Sequence, residues 1–219
     1  MARRRVLPAA AVVLLLFLVL WLVLAPAESR LGQVVKLVYV HGALVWTGLA
    51  TFSVAGVLGL VALVAKHVVK PGTPQAGKGD RAAVWYRATA AAAQAALGIW
   101  VVYALSSMAV TGLTWGQWIA WGEPRVRVTA SILAAAIVVA VVARLVGDRD
   151  FQALGGVVMA VVPWVLVSRA EAIRHPADPI GGSGSAAIQG YYLLIVLTIA
   201  ALAAILVAWL WTGMELKQE

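Results

Sequence analysis

Residues Leu37–Ala65 read LVYVHGALVWTGLATFSVAGVLGLVALVA, an unbroken run without Asp, Glu, Lys or Arg. About 20 apolar residues carry a helix across the hydrocarbon core of a bilayer. This run exceeds that length, which leaves residues to tilt or to project from the membrane. Five further apolar runs flank it: Val6–Ala25, Ala82–Val110, Val128–Ala143, Phe151–Val167 and Ala186–Trp211. The fourth and fifth runs in chain order are short and are expected to extend into their flanks. None alternates with the period of a strand, which disfavours a β-barrel. The expected fold is therefore all-α and polytopic: six transmembrane helices in a single membrane domain over residues 1–219, without a soluble domain or an internal repeat. The first run follows Arg3, Arg4 and Arg5 and ends in Ala25-Pro26-Ala27. It is longer than the roughly 7–15-residue apolar region of a signal peptide, so it is read as an uncleaved span.

Composition agrees. The chain has 219 residues, of which 63% are hydrophobic and 12% charged, and its mean hydropathy is +0.94. A soluble domain is about half apolar and a quarter charged, so a soluble enzyme and a disordered tail are both excluded. There is no cysteine, which removes disulfides, thiolate metal sites, Fe–S clusters and a Cys nucleophile. Lys and Arg number 17 against 9 Asp and Glu, a net charge of +8. In a membrane protein this excess is a topology signal before it is a nucleic-acid signal, and no nucleic-acid partner is expected. With the N-terminus inside, every basic residue except Arg30, Lys36, Arg125, Arg127, Arg169 and Arg174 falls on the inner side. Both termini are thus expected in the cytoplasm, with the chain in the cell (inner) membrane. The outer loops then lie at about 26–36, 111–127 and 168–186. The inner segment 66–81, with Pro71, Gly72, Pro74, Gly77 and Gly79, reads as a flexible connector. Gln94 is the main polar side chain at depth. Intramembrane acids and lysines mark proton relays and coupled carriers, and their lack argues against a pump or secondary transporter.

Chemistry-bearing residues gather on the outer side. The segment Trp115-Gly116-Gln117-Trp118-Ile119-Ala120-Trp121-Gly122-Glu123-Pro124-Arg125 carries three of the ten tryptophans. On a helix, a spacing of three turns each indole by about 300°, so the three would cover an arc of about 120° and make a broad aromatic shelf. The bland alternative is an aromatic belt, which scatters its indoles among helix ends as Trp21, Trp85 and Trp209 do. His41 lies about a turn inside the second span, with Gly42 beside it allowing close approach of another group. His175 lies in Arg174-His175-Pro176-Ala177-Asp178-Pro179, where Pro176 biases it to an extended backbone. A lone histidine is more often structural than a ligand; two on one side of the membrane flanking an aromatic shelf shift the balance. Neutral imidazole is a good axial ligand for iron. A haem also needs an apolar face and cations for its propionates, for which Arg125, Arg127, Arg174 and Lys36 are candidates. His67 sits at the inner end of the second span, about 30 Å of hydrocarbon away, and is read as interfacial.

The sequence resembles the haem-handling membrane proteins of cytochrome c maturation, and most the CcmC branch. Lys36-Leu37-Val38-Tyr39-Val40-His41 is similar to that family's Tyr-x-His segment at its second span. Trp115 to Trp121 is similar to its tryptophan-rich WGxWWxWD signature. The stretch from Pro163-Trp164 to His175-Pro176 is similar to its fifth span and histidine loop, and span number and loop order agree. The resemblance implies haem b (iron protoporphyrin IX) held at the extracytoplasmic face, with His41 and His175 as axial metal ligands and Trp115, Gly116, Trp118 and Trp121 as platform. It also implies delivery of that haem to a membrane-anchored chaperone alongside ABC transporter subunits, with no catalytic turnover. Arg125 or Arg127 would pair with the propionates. His175 on its Pro-rich loop would be the exchangeable ligand and His41 the fixed one. The chain departs from the signature at Ile119, in place of the second paired tryptophan, and at Gly122 in place of its Asp, unless Glu123 takes that role after a one-residue insertion.

Other classes fare less well. The membrane subunit of an ABC-type exporter would need a cytoplasmic coupling helix, and 66–81 shows no amphipathic pattern. A two-haem cytochrome b needs four transmembrane ligands, and the chain has three His. An intramembrane serine protease is weaker still: Ser183 and Ser185 lie in an exposed Gly/Ser loop, and no histidine is found within a span to activate them.

Overall fold

The computed structural model describes residues 2–68, 81–171, 173–174 and 180–215. They form six long helices: α1 (Ala2–Leu24), α2 (Val35–Val68), α3 (Arg81–Trp115), α4 (Pro124–Val146), α5 (Arg149–Arg169) and α6 (Ala186–Glu215), with a single 3-10 turn at Gly181–Ser183. All six are long and apolar enough to cross a membrane. Among the described residues the only β-type pairing is an isolated bridge between Glu28 and Gly32. The fourth and fifth helices do grow beyond their apolar runs, to Pro124–Val146 and Arg149–Arg169. His175 and most of the 66–81 connector lie outside the described residues.

The helices run up and down, so that loops 25–34 and 116–123 and the described residues between α5 and α6 gather at one end, here the upper end. The starts of α1 and α3, the end of α2 and the α4–α5 turn gather at the lower end. That turn is two residues long. Gly147 adopts a left-handed φ of 69° and its N–H closes α4 on the Ala143 carbonyl, while the Asp148 carboxylate accepts from the Phe151 N–H to start α5. Beside it Asp150 accepts from both Lys66 at the end of α2 and Tyr86 near the start of α3.

Helix α2 is the hub and packs on α3, α5 and α6; α1 packs chiefly on α6. In hydrocarbon, close packing rather than the hydrophobic effect holds helices together, and small residues allow it. The α2–α5 seam uses them. A Cβ built on Gly56 would come within 2.3 Å of the Ala160 Cβ, and one on Gly59 within 2.6 Å of the Ala153 carbonyl oxygen. Trp164 ties the same seam by donating its indole N–H to the Ser53 hydroxyl at 2.9 Å. Larger side chains fill the upper half of the core, where Tyr39, Phe52, Trp100, Ile132 and Ile195 are almost wholly buried.

Candidate haem-binding end

His41 sits six residues into α2, about 9 Å from its first residue at 1.5 Å per residue, and is 8% exposed. Its ring stacks on Tyr103 of α3, with centroids 4.8 Å apart and planes at 25°. Its Nδ1 lies 3.2 Å from the Ser106 hydroxyl oxygen. That hydroxyl has one proton and donates it over the shorter distance, 2.7 Å, to the Tyr103 carbonyl. This leaves Ser106 able to accept from an Nδ1–H of His41, and a neutral ring that donates there carries its lone pair on Nε2. This is the outer-sphere hydrogen bond that fixes ring orientation and tautomer in metal-ligating histidines. Tyr103 is held in turn: it packs on Trp100 at 4.8 Å and shares a 3.3 Å hydroxyl contact with Thr129 of α4. Trp100 donates its indole N–H to the Thr129 carbonyl at 3.1 Å and packs on Phe52. The expected close approach at Gly42 is present: a Cβ there would stand 3.0 Å from the Tyr192 hydroxyl of α6.

The tryptophan segment is not a helix, which corrects the single aromatic arc. Trp115 is the last residue of α3. Gly116 takes φ 70°; its N–H still donates to the Gly112 carbonyl at 3.1 Å as in a helix, and the Gln117 N–H then donates back to the Thr111 carbonyl at 3.4 Å, closing the helix end. A left-handed glycine is a common helix end, so Gly116 serves here as the stop of α3. Pro124 then opens α4, where its missing N–H costs nothing. The irregular loop is thus 116–123, narrower than 111–127. Within it Ala120 and Glu123 turn inward, and Trp118 and Trp121 turn outward, 63% and 57% exposed. One face of the Trp118 indole lies against Gly112, where a Cβ would come within 2.8 Å of the ring. The Thr111 hydroxyl bonds the Trp118 carbonyl at 3.1 Å, so the loop is folded back over the end of α3. On α3, Gly112 stands six residues above Ser106, about 9 Å along the axis.

Glu123 has a role that its charge alone did not reveal. It is 2% exposed, and its carboxylate accepts from the backbone N–H groups of Ile173 at 3.3 Å and Arg174 at 2.8 Å. A buried carboxylate holding two backbone donors links the tryptophan loop to the residues that immediately precede His175. Gly122 is exposed and has nothing within 4 Å of a built Cβ, so Glu123 is the carboxylate that the packing uses. Arg125 is half-buried in the first turn of α4 and Arg127 is exposed. Lys36 is turned aside: its ammonium donates to the Val23 carbonyl at 3.1 Å, capping the end of α1 with a cation.

In the loop between α1 and α2 the Glu28 carboxylate accepts from the N–H groups of Leu31 (2.9 Å) and Arg30 (2.8 Å) and from the Ser29 hydroxyl (2.8 Å). These bonds, that to Leu31 foremost, hold its pKa below the ordinary carboxylate value. Among the described residues no group of three or more His, Asp or Glu is placed to enclose a metal ion; a haem site asks for one or two imidazoles and an apolar face.

The structure brings His41, Tyr103 and Ser106 into one cluster, and Trp118, Gly112 and Thr111 into a second above it. Tyr103, Ser106, Tyr192 and the anchoring function of Glu123 were not singled out from sequence; the one available signal was Glu123 standing directly before the helix-opening Pro124. Set against known proteins, the chain matches no family model and no curated sequence.

Proposed function

We propose that the upper end binds haem and passes it on, at the extracytoplasmic face of the cell membrane, to a chaperone serving cytochrome c maturation. The observation that carries this reading is the state of His41. A buried imidazole is held between Tyr103 and Ser106, and a neutral ring whose Nδ1–H is donated to Ser106 presents Nε2 as the nitrogen to ligate iron. The residues around it suit the cargo. Trp118 and Trp121 offer exposed indole faces to a planar macrocycle, Arg127 and Arg174 are exposed cations for carboxylates, and about 9 Å between the His41 and Trp118 levels is comparable with the breadth of a porphyrin. His175 supplies the second axial ligand on this reading. Glu123, holding the two N–H groups just before it, sets where that ligand starts. Bound iron contributes only coordination, so nothing in the site needs to be a nucleophile or general base. Delivery works by exchange of one ligand while the other stays fixed on α2. The ABC subunits expected beside the protein belong to the same proposal.

Absorption spectra of the detergent-purified chain, with and without added haem, test it. A Soret band is expected, and His41→Ala and His175→Ala should each shift or remove it. Unchanged haem content and spectrum in both variants would overturn the axial assignment.

A further inference from the structure

The molecule also carries a cleft away from the tryptophan end. A cleft of about 590 Å³ opens in the lower half between α2, α3, α4 and α5, within the roughly 300–1,000 Å³ range of small-molecule sites. A second hollow of about 410 Å³ adjoins it, and the two share Ala90, Gln94 and Gln152. The wall is narrow-chained: Ala55, Ala93, Ala136, Ala140, Gly155 and Gly156 leave a smooth apolar groove ending at Phe52 and Met159. The rim is basic. Arg144 borders the larger cleft and Arg149 and Arg87 border or line the smaller one. Arg144 and Arg149 are exposed, and neither has an ion pair among the described residues. Asp148 shares the rim, but its carboxylate already accepts from the Phe151 N–H, and Asp150 is paired with Lys66.

Between groove and rim stand two amides. Gln94 is seven residues beyond Arg87 on α3, about 10 Å deeper. Among the described residues neither Gln94 nor Gln152 has a side-chain hydrogen bond within the larger cleft. Gln94 is exposed and Gln152 half-buried on the cleft wall, so both amides are open to hydrogen-bond a polar group from a ligand. The order from the rim inward is cation, amide donor, apolar groove.

We propose that this cleft is a binding site for an anionic glycerophospholipid. The phosphate sits at Arg144 and Arg149, the ester carbonyls accept from the Gln94 and Gln152 amides, and one acyl chain lies along the alanine and glycine wall. Basic pockets between transmembrane helices recognise anionic headgroups in this way. The site is separate from the haem-binding end and does not depend on that reading.

Native mass spectrometry of the full chain in neutral detergent, with phosphatidylglycerol and phosphatidylcholine of the same acyl chains in equal amount, tests it. The wild type should retain phosphatidylglycerol in preference. Arg144→Gln with Arg149→Gln should reduce that preference by about fivefold per arginine, and both residues are exposed, so the fold tolerates the change. Ala140→Phe, which fills the groove, should lower retention of both lipids. Equal retention of the two lipids by the wild type, a preference unchanged in the double arginine variant, or full lipid retention in Ala140→Phe would each overturn the proposal.

Discussion

The two ends of the bundle are closed by opposite means. At the lower end α4 passes to α5 through two residues, and Asp150 gathers α2 and α3 from the surface, with Lys66 and Asp150 side chains 51% and 37% exposed. At the upper end the connections are longer, and what holds two of them together is one carboxylate, Glu123, sunk to 2% exposure and bonded to backbone rather than to a cation. A solvated ion pair is worth roughly 0–1 kcal/mol, whereas stranding a buried partner costs about 1–3 kcal/mol per group. The lower end is thus fixed by covalent brevity and can lose its ion pair cheaply. The upper end is fixed by a buried contact that cannot be lost cheaply.

That contrast can be broken by mutation. The largest effect is expected from Trp100→Ala, which empties the core beneath Tyr103 and His41 and should cost about 3–5 kcal/mol, read as a drop in thermal stability; Trp209→Ala, an exposed indole on α6, should be nearly silent in the same assay. Next comes Glu123→Ala. Hydrogen exchange at the Ile173 and Arg174 amides should speed up about tenfold or more, with the amides of α5 at the lower end unaffected; unchanged exchange at both residues would remove Glu123 from its linking role. Ser106→Ala deprives the His41 Nδ1–H of its acceptor, and haem affinity should fall about tenfold while the fold is retained. Asp150→Asn should cost no more than about 1 kcal/mol and leave haem binding alone, and a larger loss than that of Glu123→Ala would reverse the ranking of the two ends. The smallest effect is one of pH. The folded pKa of Glu28 lies below its ordinary value of 4.5, so its loop contacts contribute in full above that value and fade as pH falls through the depressed one. Glu28→Gln should flatten this acid limb in a pH titration of loop exchange, with faster loop exchange than the wild type at neutral pH and little difference at acid pH.

The spans were legible because hydrocarbon is an undemanding judge: long runs without charge have one stable solution, a helix, and all six runs became one. The site was legible in its residue types and less so in its arrangement. A spacing of three between tryptophans suggests a helical arc only if the helix continues. Gly116 stops α3 inside the motif and Pro124 restarts the chain, so the indoles are displayed by a loop; both punctuating residues stand in the sequence, and their backbone preferences override the spacing. The partners of His41 could not be read at all. Tyr103 and Ser106 are more than sixty residues away and meet it only through the α2–α3 contact, and each is an ordinary apolar-span residue in its own helix. Glu123 is a similar case, since a lone carboxylate in a loop reads as solvated until the loop of residues 170–174 is laid over it.

The pairing of α1 with α6 bears on how the chain is made. Synthesis delivers α1 to the membrane first and α6 last, so the earliest helix waits for its principal neighbour until the whole remainder has been inserted. A nascent chain halted before Ala186 would carry α1 as a loosely tethered strand of the bilayer, open to capture by quality-control factors. Arrival of α6 is then the event that gives α1 its principal neighbour.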